Sequence, residues 1–350
     1  MTTDILFERR HHLGLITLAR PQALNALNLP MILALQQQLL QWQADSAIHA
    51  VVLQAEPGKA FCAGGDVRWL YETGLANDPE QLSFFWHEYR LNHFIHQFKK
   101  PYIALMDGMT MGGGVGISLH GSHSVASERF IFAMPETGIG LFPDIGASYL
   151  LARCPGQLGP YLALTGNRLR AQDAFAAGLV KHVIASENHS KILAKLCQTD
   201  LSHDAYQQVS SCLQDLEIPQ QATLLTGELE KINHFFARAS IKEIVSGLEE
   251  SDDSWARTTF DILQKKSPLS LEVTFAQIQK AKSMSMLDCL KMDYCLVNHF
   301  MAGTDFYEGV RALLVHKDGN PDWQPDTLNK VTAAMVANYF ECHQAELSLS

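Results

Sequence analysis

The sequence lacks the features that identify several common protein classes. Its 350 residues include seven cysteines but no CxxC pair, which argues against a zinc ribbon or a thioredoxin-like redox site. No apolar run is long enough to span a bilayer, and no apolar leader precedes the first strand-like stretch. The formal net charge is -10, which argues against nucleic acid or an anionic membrane as the main partner. We therefore expect a cytoplasmic protein whose cysteines are free thiols.

Several catalytic signatures are also missing. No GK[ST] follows either glycine-rich loop, so a phosphate-binding P-loop is disfavoured. Ile117 stands where a dinucleotide fingerprint beginning at Gly112 needs a glycine or alanine. Ser118 and Ser148 do not lie in a GxSxG elbow, which argues against a serine hydrolase. Two HxxH pairs lack a clear third ligand, so we expect no metal site.

The first half of the sequence alternates strand-like and helix-like segments. The predicted strands are residues 14–18, 50–55, 101–106, 125–126 and 130–132, and the predicted helices are residues 30–42, 80–98 and a segment beginning at 115. This alternation is typical of a layered α/β core with parallel strands. After about residue 186 helix-like patterns dominate. We therefore predict a core of residues 1–186 and a mainly helical region of residues 187–350 that packs on it.

Two glycine-rich loops each follow an apolar strand. The first glycine loop is residues 58–66, GKAFCAGGD, and the second glycine loop is residues 109–116, MTMGGGVG. Glycine lets the backbone turn its N–H groups outward and lets a ligand approach closely. Two such N–H groups directed at one point would stabilise an oxyanion, and a helix beginning at the second loop would strengthen this effect. A single loop of this kind is usually only a tight turn, but the pair favours an anion-binding role.

Two acidic residues follow the strand at 130–132. Glu136 and Asp144 lie eight residues apart in MPETGIGLFPD, directly after an apolar segment. A carboxylate is rarely placed there unless it is paired or functional, and burial would raise its pKa into the range of a usable base. The alternative interpretation is a helix cap or a surface ion pair.

The two glycine loops together resemble the oxyanion loops of the crotonase (enoyl-CoA hydratase/isomerase) superfamily. The resemblance implies a crotonase-like spiral of ββα units with a helical C-terminal region. It also implies that the backbone N–H groups of Gly65 and Gly113 bind the carbonyl oxygen of an acyl-coenzyme A thioester. The backbone near Ala63 would face the adenine of coenzyme A.

One position separates the reactions of this superfamily. Enoyl-CoA hydratases have a second glutamate three residues after the oxyanion glycine of the second loop, where this sequence has Gly116. The combination of Gly116, Glu136 and Asp144 resembles the 3-hydroxyisobutyryl-CoA hydrolases of the superfamily instead. Glu88 matches a substrate-contacting glutamate of these hydrolases, and the resemblance extends over nearly the whole chain.

This resemblance implies hydrolysis of a 3-hydroxyacyl-CoA thioester, most specifically of 3-hydroxyisobutyryl-CoA in valine degradation. The implied catalytic residues are Glu136, Asp144, Gly65 and Gly113. The implied substrate-binding residues are Ala63, Gly64, Glu88, Gly113, Glu136 and Asp144. The implied partner is the acyl-CoA substrate, with no cofactor and no metal, and a homo-oligomer is possible because crotonases often form trimers.

Some alternatives stay open at this point. Glu136 could attack the carbonyl or activate water, and Asp144 could bind the substrate's 3-hydroxyl group or orient Glu136. Arg311 and Lys317 could bind the phosphates of coenzyme A or form a solvated basic surface. The competing functions are enoyl-CoA hydration or isomerisation, and non-catalytic binding of an acyl-CoA. Loss of turnover with retained ligand binding in Glu136→Gln would identify an enzyme.

Overall fold

The computed structural model describes residues 2–219, 223, 225–342 and 347–348. The chain divides into two compact units. The first unit comprises residues 1–66, 90–132 and 169–223, and the second unit comprises residues 67–89, 133–168 and 224–350.

The first unit contains a six-stranded sheet with the order β1-β2-β3-β5-β7-β10. Its strands are β1 Ile5–Arg10, β2 Leu13–Leu18, β3 Ala50–Ala55, β5 Tyr102–Met106, β7 His123–Ala126 and β10 His182–Val183. β1 and β2 form an antiparallel hairpin, and the pairings from β2 to β10 are all parallel. Parallel neighbours need long crossover connections, which here include the helices α1, Leu29–Ala44, and α3, Glu80–His96.

The core of the first unit forms where one face of this sheet meets two helices. The helices are α8, His189–Gln198, and α9, Ala205–Gln214. The buried residues in this cluster are Leu13, Leu15, Ala50, Val52, Ile103, Leu105, Val125, Ile184, Ile192, Leu196, Leu201, Val209, Cys212 and Leu213. The other face of β3 and β5 is also buried along most of each strand, which is typical of a parallel sheet with both faces covered.

A second sheet of four short strands has the order β4-β6-β8-β9. Its strands are β4 Ala60–Cys62, β6 Met109–Met111, β8 Ile131–Ala133 and β9 Leu169–Arg170. β4 and β6 are parallel, and each forms part of one of the glycine loops. The second loop continues into a single helical turn, α4, Gly113–Gly116, and β9 leads into α7, Ala171–Ala176.

The described residues of the second unit are mostly helical. Its helices are α2 Val67–Leu75, the start of α3, α5 Ala147–Leu151, α6 Leu158–Thr165, α10 Leu225–Phe236, α11 Ile241–Glu249, α12 Ser254–Leu263, α13 Pro268–Ala281, α14 Met286–Ala302, α15 Asp305–Val310 and α16 Ala333–Tyr339. A 3₁₀ turn, Glu136–Ile139, follows β8. Several of these helices have side-chain N-caps. At α13 the Ser267 side chain accepts from the Ser270 N–H, and at α14 Ser285 forms a capping box with Asp288.

The predicted mixture of parallel strands and helices is confirmed, with differences in detail. The strands β4, β6, β9 and β10 have only two or three residues each, too few to give a sequence pattern, and were not predicted. The sequence pattern missed β1, whose exposed polar residues hide its pairing with β2. The helix predicted from residue 115 is a four-residue turn, because three of its four residues are glycine, which favours helix poorly. The division of the chain at residue 186 stays a prediction.

The expectation of seven free thiols is wrong for one pair. Cys295 in α14 and Cys342 after α16 form a disulfide, with their Cα atoms 5.2 Å apart. The reason is that the segment after α16 returns to α14, where the His299 Nε2 and the Glu341 carbonyl oxygen are 2.8 Å apart. The other five cysteines are not in a disulfide: Cys62, Cys154, Cys197, Cys212 and Cys289.

Candidate active site

The first glycine loop is held in place by the segment before α1. The Leu27 N–H donates to the Gly64 carbonyl oxygen at 2.7 Å, and the Asp66 N–H donates to the Leu27 carbonyl oxygen at 2.8 Å. Gly64 has a φ of 110°, which other residues rarely adopt. The Asp66 carboxylate accepts from the Arg20 guanidinium at 2.9 Å, which fixes the end of the loop.

The second glycine loop needs glycine for two separate reasons. Gly112 has a φ of 46° and a ψ of -125°, a conformation that turns the chain from β6 into α4. At Gly114 an added Cβ would lie 2.3 Å from the Cys62 carbonyl oxygen. The second loop therefore packs directly against β4, the strand within the first loop.

The two loops contact each other in the first unit. A Cβ added to Gly64 would lie 3.2 Å from the Met111 carbonyl oxygen and 3.5 Å from the Gly113 backbone nitrogen. In the described part of the chain, neither the Gly65 N–H nor the Gly113 N–H has a hydrogen-bond acceptor. Each loop therefore retains a backbone donor that a ligand could use. Ala63, by contrast, already donates its N–H to the Leu24 carbonyl oxygen at 3.0 Å.

Gly116, at the end of α4, lies against a buried amide. A Cβ added to Gly116 would lie 2.8 Å from both the Nδ2 and the Oδ1 of Asn92. Asn92 is 0% exposed. The place next to Gly116 is therefore filled by a neutral amide, and a larger side chain at this position would displace it.

Three of the buried carboxyl groups in the second unit influence one another's pKa values, and we name them the carboxyl cluster: Glu88, Glu136 and Asp144. They are 2%, 6% and 5% exposed, respectively. Within the described residues, Oε1 of Glu88 and Oε2 of Glu136 have no hydrogen-bond partner. Buried oxygen atoms without partners are costly, so they are usually retained for a function.

Burial sets the ionisation of the carboxyl cluster. It raises the pKa of Glu136 well above its ordinary value, and the nearby charge of Asp144 raises it further. Burial also raises the pKa of Glu88, with added contributions from the charges of Asp144 and Glu136. The pKa of Asp144 rises to about 6, again mainly through burial. Raised carboxyl pKa values grouped in this way are typical of active sites.

Glu136 begins the 3₁₀ turn that follows β8. The Leu141 N–H donates to the Glu136 carbonyl oxygen at 3.0 Å and closes the turn. At Gly140, with a φ of 69°, an added Cβ would lie 2.2 Å from the Asp305 carbonyl oxygen at the start of α15. Gly140 therefore allows this tight turn to pack closely against the start of α15.

Asp144 lies in a second turn that α13 and α14 hold in place. The Gly146 N–H donates to Oδ2 of Asp293 at 2.8 Å, and Ile145 has an unusual φ of 57°. Gln277 donates to the Pro143 carbonyl oxygen at 3.0 Å and to Oδ1 of Asp293 at 2.8 Å. These contacts fix the backbone on both sides of Asp144.

Two further side chains affect the carboxyl cluster. The Tyr89 hydroxyl donates to Oδ2 of Asp144 at 2.7 Å, which partly offsets the effect of burial on the pKa of Asp144. Lys266 is half-buried near Gly138, where an added Cβ would lie 3.2 Å from its Nζ. The charge of Lys266 lowers the pKa of Glu136, and burial lowers the pKa of Lys266 itself.

The predicted site residues fall into two groups. Ala63, Gly64, Gly65 and Gly113 lie together in the first unit, and Glu88, Glu136 and Asp144 lie together in the second unit. Sequence reasoning missed Tyr89, Lys266, Asn92 and Asp293. Only Asp293 had a recognisable signal, because it is an acidic residue within the largely apolar helix α14.

The predicted phosphate contact Arg311 has other partners. Its guanidinium binds Glu308 at 2.7 Å and Asp318 at 2.5 Å. A phosphate would therefore have to compete with two carboxylates, and the predicted contact to coenzyme A stays a prediction. Within the described residues, no group of three or more His, Cys, Asp and Glu side chains is arranged to hold a metal ion. No helix in that part of the chain is long and apolar enough to cross a membrane.

Comparison with known proteins gives a family and named relatives. A family model described as enoyl-CoA hydratase/isomerase matches residues 13–340. A Xenopus tropicalis protein named "3-hydroxyisobutyryl-CoA hydrolase, mitochondrial" is 44% identical over 335 residues, covering 93% of this chain and 86% of that protein. A Homo sapiens protein of the same name is 39% identical over 343 residues, covering 97% of this chain and 88% of that protein.

Two solved structures are similar over nearly the full length. One, described as a carnitinyl-CoA dehydratase from Mycobacterium thermoresistibile, has a TM-score of 0.93 and 34% identity, and covers 99% of each chain. The other, described as an enoyl-CoA hydratase from Rhodobacter sphaeroides 2.4.1, has a TM-score of 0.87 and 34% identity, and covers 97% of each chain.

Proposed function

The chain belongs to the enoyl-CoA hydratase/isomerase family, and from that premise we propose that it hydrolyses the thioester of a 3-hydroxyacyl-CoA. The names of the relatives favour 3-hydroxyisobutyryl-CoA as the substrate. The products would be 3-hydroxyisobutyrate and free coenzyme A.

The observation that supports hydrolysis most directly is the surroundings of Gly116. A hydratase of this superfamily is expected to have a second carboxylate at this position. This chain has no side chain there, and the amide of Asn92 lies within 2.8 Å of the position of a Cβ. An amide stays neutral and neither gains nor gives up a proton as an acid or base near neutral pH, so it cannot replace that carboxylate in acid–base catalysis.

The glycine loops would bind the thioester carbonyl. Its oxygen would accept hydrogen bonds from the Gly65 and Gly113 N–H groups, which have no acceptor among the described residues. Negative charge develops on this oxygen as the carbonyl carbon becomes tetrahedral, so preformed donors stabilise the transition state more than the substrate. Loss of one such donor typically lowers kcat by about 10²–10³-fold.

Glu136 would supply the reactive carboxylate. In its ionised form it could attack the carbonyl carbon, breaking the carbon–sulfur bond and releasing coenzyme A as the thiolate. Water would then cleave the resulting anhydride and restore the carboxylate. Alternatively, Glu136 could take a proton from the water that attacks the carbonyl carbon. We favour direct attack, and both routes require Glu136 to be ionised.

Side chains next to Glu136 would set its pKa and help to bind the substrate. The charges of Asp144 and of Lys266 act on the pKa of Glu136 in opposite directions. Tyr89 donates to Asp144 and would keep its carboxylate in one orientation. Glu88, one of whose oxygens has no hydrogen-bond partner among the described residues, would contact the substrate.

Other properties of the chain stay predictions. This chemistry needs only water, N–H donors and a carboxylate, so we expect no metal or redox cofactor. A homo-oligomer is possible. The cytoplasmic location expected from the sequence is not supported by the relatives, which are named as mitochondrial proteins.

Hydration of an enoyl-CoA is the second candidate, because the two similar solved structures are described as a dehydratase and a hydratase. The test follows release of free thiol from 3-hydroxyisobutyryl-CoA and, in parallel, hydration of crotonyl-CoA by the same enzyme. We expect fast thiol release and negligible hydration. Hydration without thiol release would overturn the hydrolase assignment.

A further inference from the structure

Asn92 is a buried polar side chain to which no role has been assigned. It lies in α3 and is 0% exposed. Neither its Nδ2 nor its Oδ1 has a hydrogen-bond partner among the residues that the structure describes. An amide in this state destabilises the folded protein unless a ligand or an ordered water satisfies it.

The position of this amide relates it to the second glycine loop. Both polar atoms lie 2.8 Å from the place of a Cβ on Gly116. Gly116 ends the helical turn α4, which begins at Gly113. Residues three apart in a helix lie about 5–6 Å from each other on one face. The amide is therefore roughly one helical turn from the N–H group that would bind the thioester oxygen.

The chemistry of the amide limits what it can bind. A side-chain amide offers two N–H donors and one acceptor and stays neutral, so it matches an uncharged group that both donates and accepts. A hydroxyl group has these properties. In a 3-hydroxyacyl thioester the hydroxyl is two carbons from the carbonyl carbon, so the two groups, each with a hydrogen bond of about 2.9 Å, can span the roughly 5.4 Å of one helical turn.

We propose that the Asn92 amide binds the 3-hydroxyl group of the acyl chain and so selects 3-hydroxyacyl thioesters over unsubstituted ones. The inference rests on the proposed hydrolase function and adds the residue that determines specificity. It also explains why Gly116 has no side chain, since any Cβ there would displace the amide.

The test compares two substrates that differ only in this hydroxyl group, 3-hydroxyisobutyryl-CoA and isobutyryl-CoA. The quantity measured is the ratio of their kcat/KM values for thiol release. In Asn92→Leu, which keeps the side-chain size but removes the hydrogen bonds, we expect this ratio to fall about 10–100-fold. Loss of a purely structural contact, or of an amide that holds only water, would lower both values together and leave the ratio unchanged.

A second variant tests the same proposal if Asn92→Leu does not fold. Gly116→Ala would place a Cβ 2.8 Å from the amide and displace it without changing Asn92 itself, so the ratio should fall in the same direction. The matched control is Asn298→Leu in α14, whose amide donates to the Tyr294 carbonyl oxygen and should not affect the ratio.

The outcomes separate the two proposals. If the native enzyme hydrolyses both thioesters but neither variant changes the ratio, the role of Asn92 is wrong and the hydrolase function stands. If the native enzyme releases no thiol from either substrate, the proposed function fails and the role of Asn92 fails with it.

Discussion

The glycine loops and the carboxyl cluster are built in contrasting ways. The loops use backbone N–H groups held by close packing, with glycine on one side of the closest contacts between the two loops. The cluster uses ionisable side chains whose pKa values are raised by burial and by one another. The contribution of the loops to the rate should therefore be the same at any pH, whereas the cluster should make the rate depend on pH.

The largest expected effect comes from removing the reactive carboxylate. Glu136→Gln should lower kcat by about 10²–10⁴-fold, because the amide can neither attack the carbonyl nor accept a proton. Stopped-flow thiol release measures kcat, and isothermal titration with coenzyme A should show that binding is retained. The matched control is Glu272→Gln, which changes another partly buried glutamate with a raised pKa. Equal losses in both variants would argue against a special role for Glu136.

Distortion of the glycine loops should have the next largest effect. Gly114→Ala would place a Cβ 2.3 Å from the Cys62 carbonyl oxygen and push the second loop away from β4. We expect kcat to fall by about 10²–10³-fold, as when an oxyanion donor is lost. The control is Gly227→Ala in α10, where an added Cβ meets none of the described atoms within 4 Å. A Gly114→Ala enzyme that is folded and fully active would exclude the proposed role of the loop.

The carboxyl cluster should lower the stability of the fold at neutral pH. Burial raises the pKa of Asp144 from 3.8 to about 6. The folded state therefore binds this proton more tightly than the unfolded state, and the free energy of unfolding falls as pH rises between these values.

Asp144→Asn lacks this penalty and should be more stable by about 1–3 kcal/mol above pH 7. Urea unfolding at pH 7.5 and at about pH 4 measures the effect, and the gain should disappear at the lower pH. Asp173→Asn, at a buried aspartate of the first unit, serves as the comparison variant. A gain of equal size at both pH values would contradict the electrostatic explanation.

The smallest expected effect is a shift in the pH profile. The charge of Lys266 lowers the pKa of Glu136, so Lys266→Met should raise that pKa. The acidic limb of kcat/KM should then move to higher pH, because Glu136 must be ionised to act. Lys265→Met, at the exposed neighbouring residue, should leave the profile unchanged. A shift to lower pH would show that Lys266 acts in another way.

Local sequence motifs predicted much of this molecule. Strands such as β3 and β5 are short runs of apolar residues, and the structure confirms both. The glycine loops and the two acids of MPETGIGLFPD could be recognised because each is contained in a few consecutive residues. The resemblance to the crotonase superfamily drawn from these motifs is confirmed by the family match over residues 13–340.

Features that depend on distant segments could not be predicted. Asn92 contacts Gly116 because α3 packs against α4, and nothing in either local sequence indicates this contact. Lys266 affects Glu136 from a position far along the chain. The disulfide between Cys295 and Cys342 spans 47 residues and has no spacing signature. In each case the contact follows from tertiary packing.

The contrast between the loops and the carboxyl cluster is tested most directly by the pH profile of kcat for the native enzyme and for Gly114→Ala. Disappearance of the thioester absorbance of 3-hydroxyisobutyryl-CoA measures both. We predict that the native profile falls on the acid side through a pKa above the ordinary glutamate value of 4.5, and that the variant has the same profile at a lower rate. A flat native profile, or an acidic limb that moves in Gly114→Ala, would contradict the claim that the carboxyl cluster alone makes the rate depend on pH.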